Sequence, residues 1–136
     1  MQIDRLIGDA PRIQQWMHER SGLPIARDFH GIAREVNGQI VAAFGYDYFQ
    51  PTSCSLHLCV DSPTAISKTL LLKAFQVPFN QWNYRSLFCV IQTSNHKSLN
   101  MAKRLGFEEV GLIPDTLWFG VMHRNKCRWI PAEQTT

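Results

Sequence analysis

Five consecutive residues, Leu87-Phe88-Cys89-Val90-Ile91, carry no polar side chain. A strand with no polar face has to be covered on both sides, so the sheet that holds it needs helices against it. The neighbouring sequence supplies them. Upstream, Ser62-Pro63 reads as an N-cap with proline in the first turn, and Ile66, Leu70, Leu71 and Ala74 form an apolar stripe up to a break at Pro78. Downstream, Thr93 or Ser94 caps a helix over 95–105. Leu99, Ala102 and Leu105 face inward, Lys103 and Arg104 lie in its last turn, and Gly106 stops it. A strand at 86–92 between two helices implies a parallel crossover from an earlier strand.

That earlier strand is 53–60, where Cys54, Leu56, Leu58 and Val60 alternate with Ser55, His57 and Cys59. It closes a meander. Asn37-Gly38 tolerates the positive φ of a two-residue hairpin turn, and so joins a strand at 31–36 to one at 39–49. Before the meander, Asp9 caps a helix with Pro11 in its first turn and Ile13, Trp16 and Met17 on one face, ended by Gly22 and Pro24. Two strands, 107–113 and 117–129, turn about Pro114-Asp115 and finish the chain. The expected architecture is α/β in the α+β sense: one domain over 1–136, a mixed sheet of about six strands with three helices, and a loose tail at 131–136.

Composition narrows the function. A net charge of +3 with scattered basic residues favours a small anionic ligand over a nucleic-acid track, and nucleic acid is the disfavoured partner. Cys54, Cys59, Cys89 and Cys127 lack metal-ligand spacing, so no metal site is expected and the thiols read as buried and reduced. No run of about 18 apolar residues and no basic-then-apolar leader is present, which makes a membrane partner unexpected and the cytoplasm the expected location.

The segment Asn95-His-Lys-Ser98-Leu-Asn-Met-Ala-Lys-Arg-Leu105-Gly106-Phe107-Glu-Glu-Val-Gly111 resembles the motif N-x-x-S/A-x-x-h-x-x-x-h-G-F-x-x-x-G of the GNAT acyl-CoA N-acyltransferases, where h is apolar. The serine form is similar to the branch that acetylates ribosomal-protein N-termini, and the short length resembles phage-encoded members, for which the location would be the host cytoplasm. The resemblance implies a splayed sheet in which the strands at 53–60 and 86–92 diverge to admit the pantetheine arm of acetyl-CoA. Backbone groups of Leu58, Cys59 and Val60 would pair with that arm, and Asn95 would anchor it from the opposite side. The pyrophosphate would sit at the start of the Pro63 helix, on Ser62, Thr64 and Ala65, with Lys103 in the same cofactor-binding set.

The resemblance also implies a direct attack by a primary amine on the thioester, with Ser98 as the acid that reprotonates the leaving thiolate. Many family members use a tyrosine seven residues after the motif asparagine, and here that position is Ala102. For the base, His57 lies on the strand beside the cleft, and imidazole is the side chain suited to proton transfer near neutral pH. Asp47, between Tyr46 and Tyr48, is the second candidate. One departure stands out: the family's glycine-containing phosphate loop is replaced by Asp61-Ser62-Pro63-Thr64-Ala65-Ile66-Ser67, with no glycine and with a repelling carboxylate. The expected function is therefore acetylation of a protein N-terminus, a lysine or a small amine. The alternative is a catalytically inactive GNAT-fold binding or structural protein. The sequence leaves the oligomeric state open, and a homodimer through strand edges, common in the family, is the assembly the resemblance allows.

Overall fold

The Asn37-Gly38 turn forms with φ of 50° and 84° and joins β2 (His30–Val36) to β3 (Gln39–Asp47). The computed structural model describes residues 1–131, so the expected tail lies outside the described residues apart from Pro131. Around that hairpin stand β1 (Asp4–Ile7), β4 (Ser53–Val60), β5 (Ser86–Gln92), β6 (Glu108–Ile113) and β7 (Leu117–His123). They make one seven-stranded sheet in the order β1-β2-β3-β4-β5-β7-β6. Every neighbouring pair is antiparallel except β4 with β5. The helices are α1 (Ala10–Ser21), α2 (Lys68–Gln76), which crosses from β4 to β5, and α3 (His96–Leu105).

Several expected boundaries move. The sheet has a seventh strand, β1, which is four residues long and pairs with β2 some thirty residues later. Glu35 explains why it stays in place: its buried carboxylate accepts from Arg5 Nε at 2.7 Å and from the Arg12 guanidinium, so β1, β2 and α1 share one charge. Those two hydrogen bonds, Arg12 first and Arg5 next, hold the Glu35 carboxyl below the usual glutamate value. Pro63–Ala65 is only a 3₁₀ turn. The α-helix begins at Lys68, because Ser67 Oγ accepts from Leu70 N–H at 3.1 Å and caps it.

Pro78 does not break the chain path. It sits in a π turn, Val77–Gln81, that continues α2, with Trp82 N–H donating to Val77 C=O at 3.0 Å. The cap of α3 is Asn95, not Thr93 or Ser94, since Asn95 Oδ1 accepts from Ser98 N–H at 3.2 Å. Strand β3 ends at Asp47, and β7 ends at His123 where a 3₁₀ turn, Arg124–Lys126, follows; Cys127 is buried after that turn and not in a strand.

The two faces of the sheet are covered unequally. On one face α2 and α3 bury Phe44, Leu56, Leu87, Trp118 and Met122. On the other, α1 packs Ile13, Trp16 and Met17 against Ala33, Ile40 and Ala43, reaching β2, β3 and β4. That leaves the α1 side of β5 and β7 half open: Phe88, Phe119 and Val121 are partly exposed and Val90 is 46% exposed. The apolar run 87–91 is covered by helix on one side only. The expectation of cover on both sides fails because the single N-terminal helix is too far along the sheet to reach it.

Candidate active site at the divergence of β4 and β5

Strands β4 and β5 pair over three residues, Ser53, Cys54 and Ser55 against Ser86, Leu87 and Phe88. Beyond that point β4 remains paired with β3 through Val60, and β5 with β7 through Gln92, yet they no longer pair with each other. Both strands continue, so the gap is a divergence and not an end. Its vertex lies at Ser55 and Phe88. Residues 56–60 of β4 then present a backbone edge with no strand across it, which can hydrogen-bond the amides of an extended arm as a missing strand would.

The open mouth of this cleft lies at the C-terminal ends of two parallel strands, the place where open α/β sheets bind ligands. From there β4 leads through 61–67 into α2, and β5 leads into α3. Each helix opens with a side-chain cap, Ser67 and Asn95, and each carries a cation in its first turn, Lys68 and Lys97, both exposed. Helix dipoles and these cations together favour an anion. The carboxylate expected to repel one, Asp61, is held by Arg20 Nε of α1 at 2.9 Å, and the Arg20 guanidinium also lies over the Trp16 ring at 4.1 Å.

At the vertex stands an acid-histidine pair. Asp47 on β3 and His57 on β4 lie on the α1 side, and Asp47 Oδ1 is 2.7 Å from His57 Nε2. The register explains the meeting: Gly45 is opposite His57 and Asp47 is opposite Ser55, so the two side chains are diagonal neighbours on one face. Ser55 Oγ lies 3.4 Å from the same nitrogen. With Nε2–H donating to the carboxylate, Nδ1 is left as the acceptor of the ring.

The other expected site residues distribute around the cleft. Leu58, Cys59 and Val60 lie along the diverging part of β4, all partly buried. The Cys59 thiol titrates above its usual range, raised by burial and drawn back in part by Ser21 and Arg20. Ser62 and Thr64 share a hydroxyl hydrogen bond of 3.1 Å ahead of α2, and the Ala65 carbonyl accepts from Arg34. The Asn95 oxygen is used in the α3 cap. Ser98 sits half-buried in that first turn, on the helix that follows β5, and among the described residues its hydroxyl is bonded to neither His57 nor Asp47. Lys103 lies in the last turn of α3 with its ammonium 6.0 Å from the Trp118 ring. Ala102, in the position of the family's tyrosine, is buried.

Two contributors escape sequence reasoning. Ser55 could have been found, since it is two residues before His57 on the same face of a strand. Arg20 could not, because only the folded chain brings the end of α1 beside Asp61.

Comparison with family models and with curated proteins returns no match. Solved structures do match. Mutant forms of the spermidine/spermine N-acetyltransferase SpeG from Vibrio cholerae are similar at TM-score 0.70 with 11% identity, over 91% of this chain and 96% of that one. The Campylobacter jejuni N-acetyltransferase PseH in complex with acetyl coenzyme A is similar at TM-score 0.63 with 15% identity, over 90% of this chain and 99% of that one. The fold is that of the GNAT N-acetyltransferases. A dodecameric spermidine N-acetyltransferase from Vibrio cholerae adds a further match at TM-score 0.66 and 12% identity, covering 90% and 95% of the two chains. The GNAT fold accounts for the parallel pair β4 and β5 and for the crossover α2 that follows from it. Among the described residues no helix is long and apolar enough to cross a membrane.

Proposed function

We propose that this chain is an N-acetyltransferase that transfers an acetyl group from acetyl-CoA to a primary amine. The observation that carries it is the position of the Asp47–His57 pair at the vertex where β4 and β5 part. Acetyl-CoA supplies an activated thioester. The free β4 edge at 56–60 takes the amides of its arm, the first turns of α2 and α3 with Lys68 and Lys97 take its phosphates, and Arg20 offsets Asp61 beside them.

His57 Nδ1 accepts the proton that makes the incoming ammonium a nucleophile, and Asp47 holds the ring in the tautomer that leaves Nδ1 open and stabilises the imidazolium. The amine nitrogen then bonds to the acyl carbon and the C–S bond breaks. Ser98, on the α3 side, gives its proton to the departing thiolate, and the second amine proton, lost as the amide forms, restores the Ser98 hydroxyl, while the proton on His57 passes to solvent. One ammonium and one thioester become one amide, one thiol and one proton.

A homodimer through the outer edge of β6 belongs to the same reading, since Val110, Leu112 and Ile113 are exposed there, and light scattering tests it. The rival reading, a non-catalytic GNAT-fold binding protein, is favoured by one observation: no glycine lies between β4 and α2 to let a phosphate approach the backbone. Calorimetry with acetyl-CoA and desulpho-CoA, followed by thiol release with a panel of amines, separates the two. Saturable micromolar binding with amine-dependent thiol release supports the acetyltransferase; no binding to either nucleotide supports the rival.

A further inference from the structure

The half-open face of β5 and β7 meets the vertex directly. Register across the sheet sets Asp47, Ser55, Phe88, Val121 and Glu108 side by side in one row, on the face that α1 leaves uncovered from β5 outward. One pleat further along, Val90 and Phe119 are neighbours on the same face. An apolar surface therefore begins on the strand next to His57 and two strands from Asp47, about 10 Å from Asp47 at the usual strand spacing.

Tyr48 borders this surface in an unusual way. Its φ is 53°, a region that bulky residues rarely adopt, and its side chain is 72% exposed. The ring stands edge-on to Phe88 at 6.4 Å between centroids. A tyrosine next to Asp47 that is held in a costly backbone conformation and left in solvent adds nothing to the core. It extends the aromatic wall beside the pair.

The charges on the row define what can lie there. It carries two carboxylates, and Glu108 at the far end already pairs with Lys126 at 3.3 Å. Asp47 and His57 thus receive one cationic nitrogen, and the surface beyond them offers aromatic and aliphatic contact to the rest of the molecule. A polyamine places its second ammonium where Phe88 and Val121 stand. The unpaired edges of β4 and β5 both face the cleft, which the arm of acetyl-CoA fills in the proposed reading, so a peptide acceptor finds no separate backbone edge on this face.

We infer that the acceptor is a small arylalkyl monoamine, whose amine meets His57 and whose ring covers Phe88 and Tyr48. This rests on the acetyltransferase reading and narrows it to a substrate class. The test measures kcat/KM with acetyl-CoA for phenethylamine, tryptamine, spermidine and phenylalanine amide capping a short peptide, alongside acetyl-CoA binding by calorimetry. Phenethylamine or tryptamine is expected to exceed spermidine and the peptide at least tenfold. Tyr48→Gly keeps the positive φ without strain, so it should fold as well as the parent while raising KM for phenethylamine about tenfold and leaving acetyl-CoA binding unchanged. Phe88→Ser should act in the same direction. Turnover that favours spermidine or the peptide, or a Tyr48→Gly variant with unaltered KM, overturns the inference alone. Failure to bind acetyl-CoA overturns the acetyltransferase reading and this inference with it.

Discussion

Removing the Asp47 carboxylate isolates what it does for His57. The bond is 2.7 Å long, and both side chains are mostly shielded from water, at 16% and 28% exposure. A hydrogen bond to a charged group in such a setting contributes about 1.5–3 kcal/mol. If it is made more strongly to the imidazolium that forms during the reaction, Asp47→Ala loses that amount from the transition state, which is about 10- to 150-fold in kcat. His57→Ala removes proton transfer itself and should cost about 10²- to 10⁴-fold. The assay is thiol release under saturating amine for both single variants and the double variant. Asp47 acts only through the ring, so adding Asp47→Ala to His57→Ala should change kcat by less than twofold. KM for acetyl-CoA should stay within threefold throughout, since neither side chain lies at the mouth of the cleft. A fully active Asp47→Ala, or a double variant whose loss is the product of the single losses, refutes the assignment of Asp47 as the residue that positions His57.

Three further outcomes follow from packing and charge. A Cβ on Gly120 would lie 2.3 and 2.4 Å from two Trp118 ring atoms and 3.2 Å from Cys89 Sγ, so Gly120→Ala should overpack the core by about 1–3 kcal/mol and lower Tm by about 4–12 °C in a calorimetric scan; a shift under 2 °C contradicts the packing. The Glu35 carboxyl is held below its ordinary value of 4.5, so its contribution is complete above that pH and is lost as the pH falls through the lower, folded-state value. Thermal melts should therefore weaken below about pH 4.5, and Glu35→Gln should remove part of that dependence while lowering Tm at pH 7. Burial pushes the Cys54 and Cys89 thiols up to about 12, so a disulfide reagent at pH 8 should label them only on unfolding, and mass mapping of early labelling at either site would contradict their burial.

Local chemistry made some features readable before the fold was known. Asn37-Gly38 can satisfy a positive-φ pair cheaply, and Gly106 after Lys103-Arg104-Leu105 reads as a helix stop; both hold, Gly106 with a φ of 116°. Features set by distant partners were not readable. Strand β1 has no alternation of its own and exists because Arg5 reaches Glu35 and Asp4 reaches Arg34. The start of α2 differs from the expected Ser62-Pro63 cap because Ser67, and not Ser62, accepts from the helix, which only the observed backbone shows.

The candidate site divides along the same line. Asp47 and His57 each look suited to proton transfer as single residues, yet that they form one unit depends on the register between β3 and β4, which the sequence between them does not specify. The run 87–91 carries the same lesson further. Its composition requires cover on both faces, and the fold supplies helix on one. Local preference and global structure rarely disagree in a natural core, and where they do the site tends to be functional. Here the uncovered side begins at Phe88, the β5 residue opposite Ser55 at the vertex. A molecule that covers that face while presenting an amine to His57 satisfies the apolar surface and the acid-histidine pair together, so binding energy gained on β5 would be available to hold the reacting nitrogen in place.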